Sequence, residues 1–354
     1  MNKMGDMGFG KEHSGDIPLP VFPRNQLAWN GKANKLGKRF NGEMQVVICF
    51  GELIVDFTPE GDSPELDKAE LFRRHVGGAP ANVAIGLHHH GIPVQLWSQV
   101  GDDSFGRFLL QKLSTWGMDV SHIQFDDSHP TRLAWIGWDE QGDRYFEFHN
   151  RDSADRHISR NMIDLEVLKH ARMFHFGGVG LIGEETTATT FELVETVHSL
   201  NGWISFDPNI RLELCQQPEV LKERIQRILP MVDVLKMSEQ EFHQLFPEKQ
   251  IREIFDSGVS LLIITRGARG SELWTSRHQV NVPANPVSVV DPTGAGDAYM
   301  AAILSRLYHL SGKKLSSLTR DELRRVGEHA SRWASVIVSY PGAVQGYFVQ
   351  KKAW

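Results

Sequence analysis

The chain has 354 residues, 41% of them hydrophobic, and a formal charge of −6 from 38 basic and 44 acidic side chains. With no basic block, that balance excludes an ordinary nucleic-acid surface, and no apolar run reaches the roughly 18 residues that span a bilayer. The two cysteines, Cys49 and Cys215, have no metal-ligand spacing and read as free thiols in a reducing cytoplasm.

Residues 1–45 are rich in Gly, Asn and Lys, carry Pro18, Pro20 and Pro23, and show no period. They read as a flexible extension without a secretory signal, in which Leu19, Val21, Phe22 and Trp29 are candidates to dock on the domain. Order is expected from the apolar run 45–51 onward. Further buried strands are predicted at 94–100, 173–176, 203–207, 232–236 and 261–265. Helices are predicted at 81–90, 104–116, 184–200, 218–229, 239–245, 250–257, 298–310, 319–325 and 328–338. Alternating strands and helices predict a mostly parallel sheet covered on both faces, with ligands at the carboxyl ends of its strands. Two stretches, 53–76 and 131–149, break the rhythm. The second alternates as strand, turn and strand, so the two are expected to pair into a small separate sheet. That sheet is a candidate lid and a candidate homodimer surface. Residues 46–345 are read as one domain and 346–354 as a tail.

The chemistry concentrates in Asp291-Pro-Thr-Gly-Ala-Gly-Asp297. Small residues at a helix start expose backbone N–H groups, and the helix end adds partial positive charge, so the turn suits an anion. A carboxylate placed there has a use if it takes a proton from an attacking hydroxyl beside a phosphoryl group. The plainer reading is a Gly-rich turn capped by Asp. The spacing matches neither a Walker A loop nor a dinucleotide fingerprint. A second Gly-rich junction, Val76-Gly-Gly-Ala-Pro-Ala-Asn82, joins a strand to a helix.

Together, in this order, the two motifs resemble the signatures of the ribokinase-like (phosphofructokinase-B type) carbohydrate kinases. Gly51-Glu-Leu-Ile-Val-Asp56, Gly101-Asp-Asp-Ser-Phe-Gly106, Phe206-Asp-Pro-Asn209-Ile-Arg211, Thr265-Arg-Gly-Ala-Arg-Gly270 and Pro341-Gly-Ala343 extend the resemblance over roughly 45–345. The Glu52…Asp56 opening and the Phe-Asp-x-Asn-x-Arg form are most like the fructokinases. The resemblance implies an α/β fold: a Rossmann-type three-layer αβα domain with a small β-sheet lid. It implies ATP-dependent phosphorylation of a sugar, fructose to fructose 6-phosphate first, with Mg²⁺ and K⁺. The alternative acceptors are ribose, a nucleoside or 2-keto-3-deoxygluconate. An alternative of another class is a silent sugar- or nucleotide-binding sensor.

By the same resemblance, Asp297 is the base, and Gly294, Ala295, Gly296 and the Asp297 amide form the anion hole. Asp56, Gly77, Gly78, Asn82 and Arg151 bind sugar. Asp207, Asn209, Lys236, Ser238, Thr265, Arg266, Gly267 and Gly270 bind nucleotide. Glu241 is assigned to Mg²⁺, and Asp291 and Thr293 to the monovalent cation. Two positions depart from the family pattern: Ser238 stands where Asn is common, and Pro292 where Thr is common. Plainer readings apply elsewhere. The run His88–His90 points in three directions on a helix and reads as a solvated helix end. Asp102 and Asp103 read as helix caps, Trp97, Trp135 and Trp138 as packing residues, and His149 and His175 as core or rim side chains.

Overall fold

The computed structural model describes residues 39–349 except 41–42, 62, 140–143, 212–213, 216, 247–250 and 311–312. The extension over 1–38, with its candidate docking residues, and the last five residues of the tail lie outside the described residues. A short hairpin, β1 (Arg39–Phe40) and β2 (Glu43–Met44), leads into β3 (Val46–Phe50), β4 (Ile54–Glu60) and β5 (Leu71–Gly77). Then follow α1 (Ala79–His89), β6 (Val94–Gly101), α2 (Ser104–Thr115), β7 (Ile123–Asp126), β8 (Leu133–Trp138) and β9 (Arg144–His149). The middle of the chain gives α3 (Leu165–Leu168), β10 (Ala171–Gly177), α4 (Glu184–Ser199), β11 (Trp203–Asp207), α5 (Pro218–Ile228), β12 (Val234–Ser238), α6 (Glu239–Leu245) and α7 (Ile251–Asp256). The last third gives β13 (Leu261–Thr265), β14 (Ser271–Trp274), β15 (Gln279–Val282), α8 (Ala295–Tyr308), α9 (Arg320–Val338) and α10 (Gly346–Val349).

Among the described residues the main sheet runs β15-β14-β13-β12-β11-β10-β3-β6-β7. It is parallel from β13 to β7 and ends in an antiparallel hairpin, β14–β15. Both faces are buried because its strands are apolar throughout rather than alternating. In β3, Val47 and Cys49 face one core with α1, α8 and α9, while Ile48 and Phe50 face a second core with α4 and α5. These are the three layers expected from the strand–helix alternation. The order turns at β3 and β10, so a crevice opens at their carboxyl ends.

The second sheet runs β5-β4-β8-β9, with β4 antiparallel to β5 and parallel to β8. It is held by aromatic packing, with Trp135 stacked on Phe57 at 4.5 Å and edge-on to Phe72 at 4.8 Å.

Several details differ from expectation. Helix α9 runs unbroken for 19 residues where two helices are predicted. Gly327 lies in its middle because the helix passes close to the main sheet: a Cβ there would meet Val282 at 2.7 Å and Leu273 at 2.9 Å. The fold continues past 345, since Tyr347 in α10 is wholly buried. The histidine run is not a solvated helix end. All three side chains are half-buried, and the rings of His89 and His90 pack on Trp333 and Tyr347. Burial drives His90 down to about 3. Trp97 is fully buried in the core, Asp103 caps α2, and His175 is a core residue bonded to Ser205 at 3.0 Å. No helix among the described residues is long and apolar enough to cross a membrane.

Candidate active site

The site forms where α8 begins. Gly294, its N-cap, sits at φ 77°, and a side chain there would drive into the Ala343 carbonyl at 2.4 Å. That left-handed turn leads the chain into the helix, with Ala295 N–H bonded to the Pro292 carbonyl at 3.4 Å. Ala298 N–H is bonded back to the Gly294 carbonyl at 2.8 Å, so the amides of Gly296 and Asp297 precede the intrahelical ladder. Asp297 lies in this first turn, buried, and its Oδ2 accepts from Asn82 Nδ2 at 2.8 Å. Burial raises the Asp297 carboxyl above its ordinary value, while the Asn82 bond, Lys236, Arg211 and Arg144 pull it back down. The result is a carboxylate suited to gaining a proton.

Asp56 faces it from β4. It lies against the backbone of Gly77, where a Cβ would come within 2.2 Å of its Oδ2. Gly78, at φ 102°, is pressed on the Glu52 carbonyl, 2.3 Å from where its Cβ would stand. Both glycines are thus required by close approach. Glu52 clasps the same turn, its Oε1 accepting from Ala79 N–H at 3.0 Å. Burial pushes Asp56 up to about 7, and Asp297 adds to the rise while Arg211 opposes it.

The anion side is completed from β11 and β12. Lys236 Nζ bonds Asp207 Oδ2 at 2.5 Å, both side chains 5% exposed. The ammonium also lies 3.3 Å from where a Cβ of Gly296 would stand. Burial lifts Asp207 to about 6 against the pull of Lys236. Burial works to neutralise Lys236, but Asp207, Glu241 and Asp297 outweigh it and hold it above its usual value. Each partner thus favours the charged form of the other.

Ser238 and Glu241 form a capping box at the start of α6, with Glu241 Oε2 accepting from Ser238 N and Oγ at 2.8 and 2.7 Å. Glu241 Oε1 accepts from Ile210 N at 2.7 Å. Asn209, at φ 40°, sits in the turn that follows Asp207. The turn after β13 carries Thr265, Arg266, Gly267 and Gly270. Arg266 N–H bonds the Gly270 carbonyl at 2.8 Å, and the Arg266 guanidinium pairs with Glu272 at 2.8 Å. Gly270, at φ 86°, packs on the Val282 carbonyl. Asp291 accepts from Thr293 N at 2.8 Å and from Gly342 N at 2.7 Å, which ties the α8 entrance to the loop after α9.

Arg151 stands apart. It is exposed just after β9, and among the described residues no hydrogen bond or ion pair joins it to this cluster. Two other arginines take the place nearest Asp297. Arg144, at the start of β9, donates to Thr293 Oγ1 at 3.2 Å and acts on both Asp291 and Asp297. Arg211 acts on Asp56 and Asp297 and lies over the Phe146 ring at 5.2 Å. Arg211 is the last residue of the Phe-Asp-x-Asn-x-Arg string, so its signal lies in the sequence. No signal marks Arg144, whose partner is 149 residues away. His75 of β5 was also missed: it bonds Thr58 at 3.1 Å and stands against Gly342.

The profile of the pfkB family carbohydrate kinases matches residues 44–347. An Arabidopsis thaliana protein named "Probable fructokinase-6, chloroplastic" is 32% identical over 327 residues, 89% of this chain and 84% of that protein. Among solved structures, a double-mutant fructokinase of Vibrio cholerae O395 in its fructose-, ADP- and potassium-bound form superposes with a TM-score of 0.76 at 27% identity. That match covers 86% of this chain and 95% of the other. Fructokinase with bound ATP from Xylella fastidiosa gives 0.77 at 25% identity, over 85% and 94%. The chain belongs to the pfkB family of carbohydrate kinases.

Proposed function

We propose that this pfkB family member is an ATP-dependent fructokinase, transferring the γ-phosphoryl group to a primary hydroxyl of fructose to give fructose 6-phosphate. The observation that carries the reading is Asp297: a buried carboxylate with a raised proton affinity, in the first turn of α8 and across from Asp56. In this reading Asp297 takes the hydroxyl proton as the oxygen attacks phosphorus, and the bond from phosphorus to the ADP oxygen breaks. The amides of Gly296 and Asp297, with Lys236, receive the charge on the moving phosphoryl oxygens. Asp56, Asn82 and the Gly77–Gly78 turn orient the sugar, since carboxylate and amide groups bind adjacent hydroxyls directionally. The small sheet acts as a lid that brings Arg144 over the site and excludes water.

The donor set fits Mg²⁺. The Glu241 oxygens each accept from the backbone or Ser238, and Asp207 is paired with Lys236. Such carboxylates suit an ion that keeps most of its waters and meets the protein through one or two oxygens. When bound, it would neutralise triphosphate charge. Asp291 and Thr293 fit a K⁺ loop in the same limited sense: the Asp291 carboxylate retains lone pairs after accepting two amides. A cytoplasmic location, and a homodimer joined through the open edges of β5 and β9, complete the reading. Analytical ultracentrifugation tests the dimer.

The test is ADP release with Mg²⁺-ATP and K⁺ against fructose, ribose, 2-keto-3-deoxygluconate, adenosine and a sugar-free blank. Release selective for fructose is expected. Selectivity for another acceptor keeps the chemistry and replaces the sugar; no release above the blank moves the chain to the binding-only class.

A further inference from the structure

Away from the crevice, the two chain segments at the root of the β8–β9 hairpin carry a group of side chains that the kinase reaction does not use. His129 lies in the segment entering β8. Asp152 and His157 lie in the segment leaving β9. One ring nitrogen from each histidine and one oxygen of Asp152 all fall within 4.8 Å of one another. The two imidazoles are stacked face to face, with centroids 3.6 Å apart and planes 8° from parallel.

The surroundings fix which atoms are available. His129 Nδ1 is taken by Asp126 Oδ2 at 2.9 Å. Asp126 is itself held by Gln99 Nε2 at 2.8 Å and by the amides of Ser128 and His129 at 2.7 and 3.0 Å. That carboxylate orients the ring with Nδ1 as donor, so the lone pair is left on Nε2. His157 Nε2 stands 2.7 Å from Asp152 Oδ1, and Glu185 lies 3.7 Å from its Nδ1. His129 thus has a carboxylate bonded at its Nδ1, the outer arrangement that orients a metal-ligating histidine, while Glu185 lies near His157 without bonding it.

The backbone beneath is rigid. Ala154 N–H bonds the Pro130 carbonyl at 3.0 Å, and Asn150 Nδ2 bonds the Thr131 carbonyl at 2.7 Å. Gln99 also holds the His157 carbonyl at 3.1 Å. The buried Arg132–Asp155 pair, at 2.8 Å, joins the same two segments.

We propose that His129 Nε2, His157 Nε2 and an Asp152 carboxylate oxygen form a binding site for a divalent transition metal of the Zn²⁺ type. Nitrogen and carboxylate donors suit such an ion, and Mg²⁺ does not compete well for imidazole. Two nitrogens bound tetrahedrally to Zn²⁺ stand about 3.3 Å apart. Because the stacked rings are parallel, one imidazole must turn about its side-chain torsions for both Nε2 lone pairs to meet the ion. An ion held there would staple the entry of the lid hairpin to its exit, and water would complete the coordination.

The experiment is calorimetric titration of Zn²⁺ into the full-length, tag-free, EDTA-treated protein in millimolar Mg²⁺, which fills oxygen-only sites. Co²⁺ titration, read by its visible absorption, reports nitrogen ligation independently. One equivalent is expected, with affinity at least tenfold weaker in both His129→Ala and His157→Ala. Circular dichroism checks that each variant folds, and Asp126→Asn, which leaves both ligands in place, serves should either not fold. In that variant the affinity is expected to fall at least threefold. No Zn²⁺ binding up to about 1 mM, or a loss smaller than these in any folded variant, overturns the site. The cluster would then be an ion pair between His157 and Asp152 beside a stacked imidazole. None of these residues belongs to the kinase site, so the outcome does not depend on which sugar is phosphorylated.

Discussion

The two walls of the crevice are built on opposite plans. The floor, where α8, β11 and β12 meet, draws its groups from short strings of neighbours: Gly294 to Asp297, then Asp207 and Lys236 on adjacent strands. Its charges are buried, with Asp207 and Lys236 paired, and its turn is fixed by Gly294, where a side chain would meet the Ala343 carbonyl. The small sheet is assembled from strands far apart in sequence, with β4 pairing in parallel with β8 across the whole of β6 and β7. It is held by aromatic packing and by surface pairs such as Arg73–Glu60, and it reaches the floor through Asp56, Arg144 and His75. A wall of preset dipoles and charges can stabilise a transition state without reorganising. A wall of long, partly exposed side chains is better suited to closing over substrate. If that contrast is right, changes to the floor strike chemistry and stability, and changes to the lid strike capture and orientation.

The largest effect is expected at Asp297. Asp297→Asn keeps the Asn82 contact but removes the proton acceptor, so kcat should fall about 10²- to 10⁴-fold with ATP affinity nearly unchanged. In the unaltered enzyme, kcat should fall as pH drops through the raised Asp297 value, because the protonated acid cannot take a second proton. Stopped-flow or coupled ADP assays across pH check both. A variant within threefold of the parent would remove Asp297 as the base.

Next comes the buried pair beneath the anion hole. Lys236→Met removes the cation that opposes burial at Asp207 and leaves that carboxyl facing Glu241 and Asp297, a loss of about 3–5 kcal/mol in folding free energy. Adding Asp207→Asn should recover a large part of it, since the penalty comes from the orphaned charge. Urea denaturation of the two variants decides the point: a loss below about 1 kcal/mol for the single change would mean the floor is not held by its charges.

For the lid, Arg144→Ala should lower kcat/KM about tenfold to a hundredfold with little change in Tm. Arg73→Ala, on an exposed pair of the same sheet, should be near neutral. Equal effects at the two positions would erase the distinction between lid residues that reach the floor and those that do not.

The same contrast explains what could be read from sequence. The floor was legible because close backbone approach demands glycine, and helix starts that meet anions carry a short, dense string of small residues. The strands β11 and β13 were placed to the residue because a doubly covered strand is apolar from end to end. The lid strands were visible as alternation, but not their register or what they touch. Arg144 looked like any exposed strand residue, and its bond to Thr293 exists only after the sheet has folded over. Arg151, singled out by resemblance, lies just past the other end of β9 and is far less engaged. In Glu241 the helix-cap reading and the ligand reading share the same carboxylate, and local spacing alone does not separate them.

The smallest expected effect concerns pH and the ligand-free protein. Burial raises Asp56 to about 7 and Glu52 to about 8, from ordinary values of 3.8 and 4.5. The folded state therefore holds protons that the unfolded chain releases, and the associated stability is present at low pH and lost as pH rises through the folded values. Below about pH 6.5 buried histidines act the other way. His90 and His175 are held near 3 by burial, so acid favours the unfolded chain there. Above that point the carboxylates dominate, and between pH 7 and 8.5 stability should fall by about 1–2 kcal/mol, or about 2–4 °C in Tm. Glu52→Gln keeps a carbonyl oxygen for the Ala79 amide and removes one of the two titrating groups. It should flatten the slope by about three quarters without shifting the activity profile set by Asp297. A slope unchanged in Glu52→Gln would place the titration elsewhere in the floor, and a Tm that rises with pH over this range would reverse the assignment of both carboxylates.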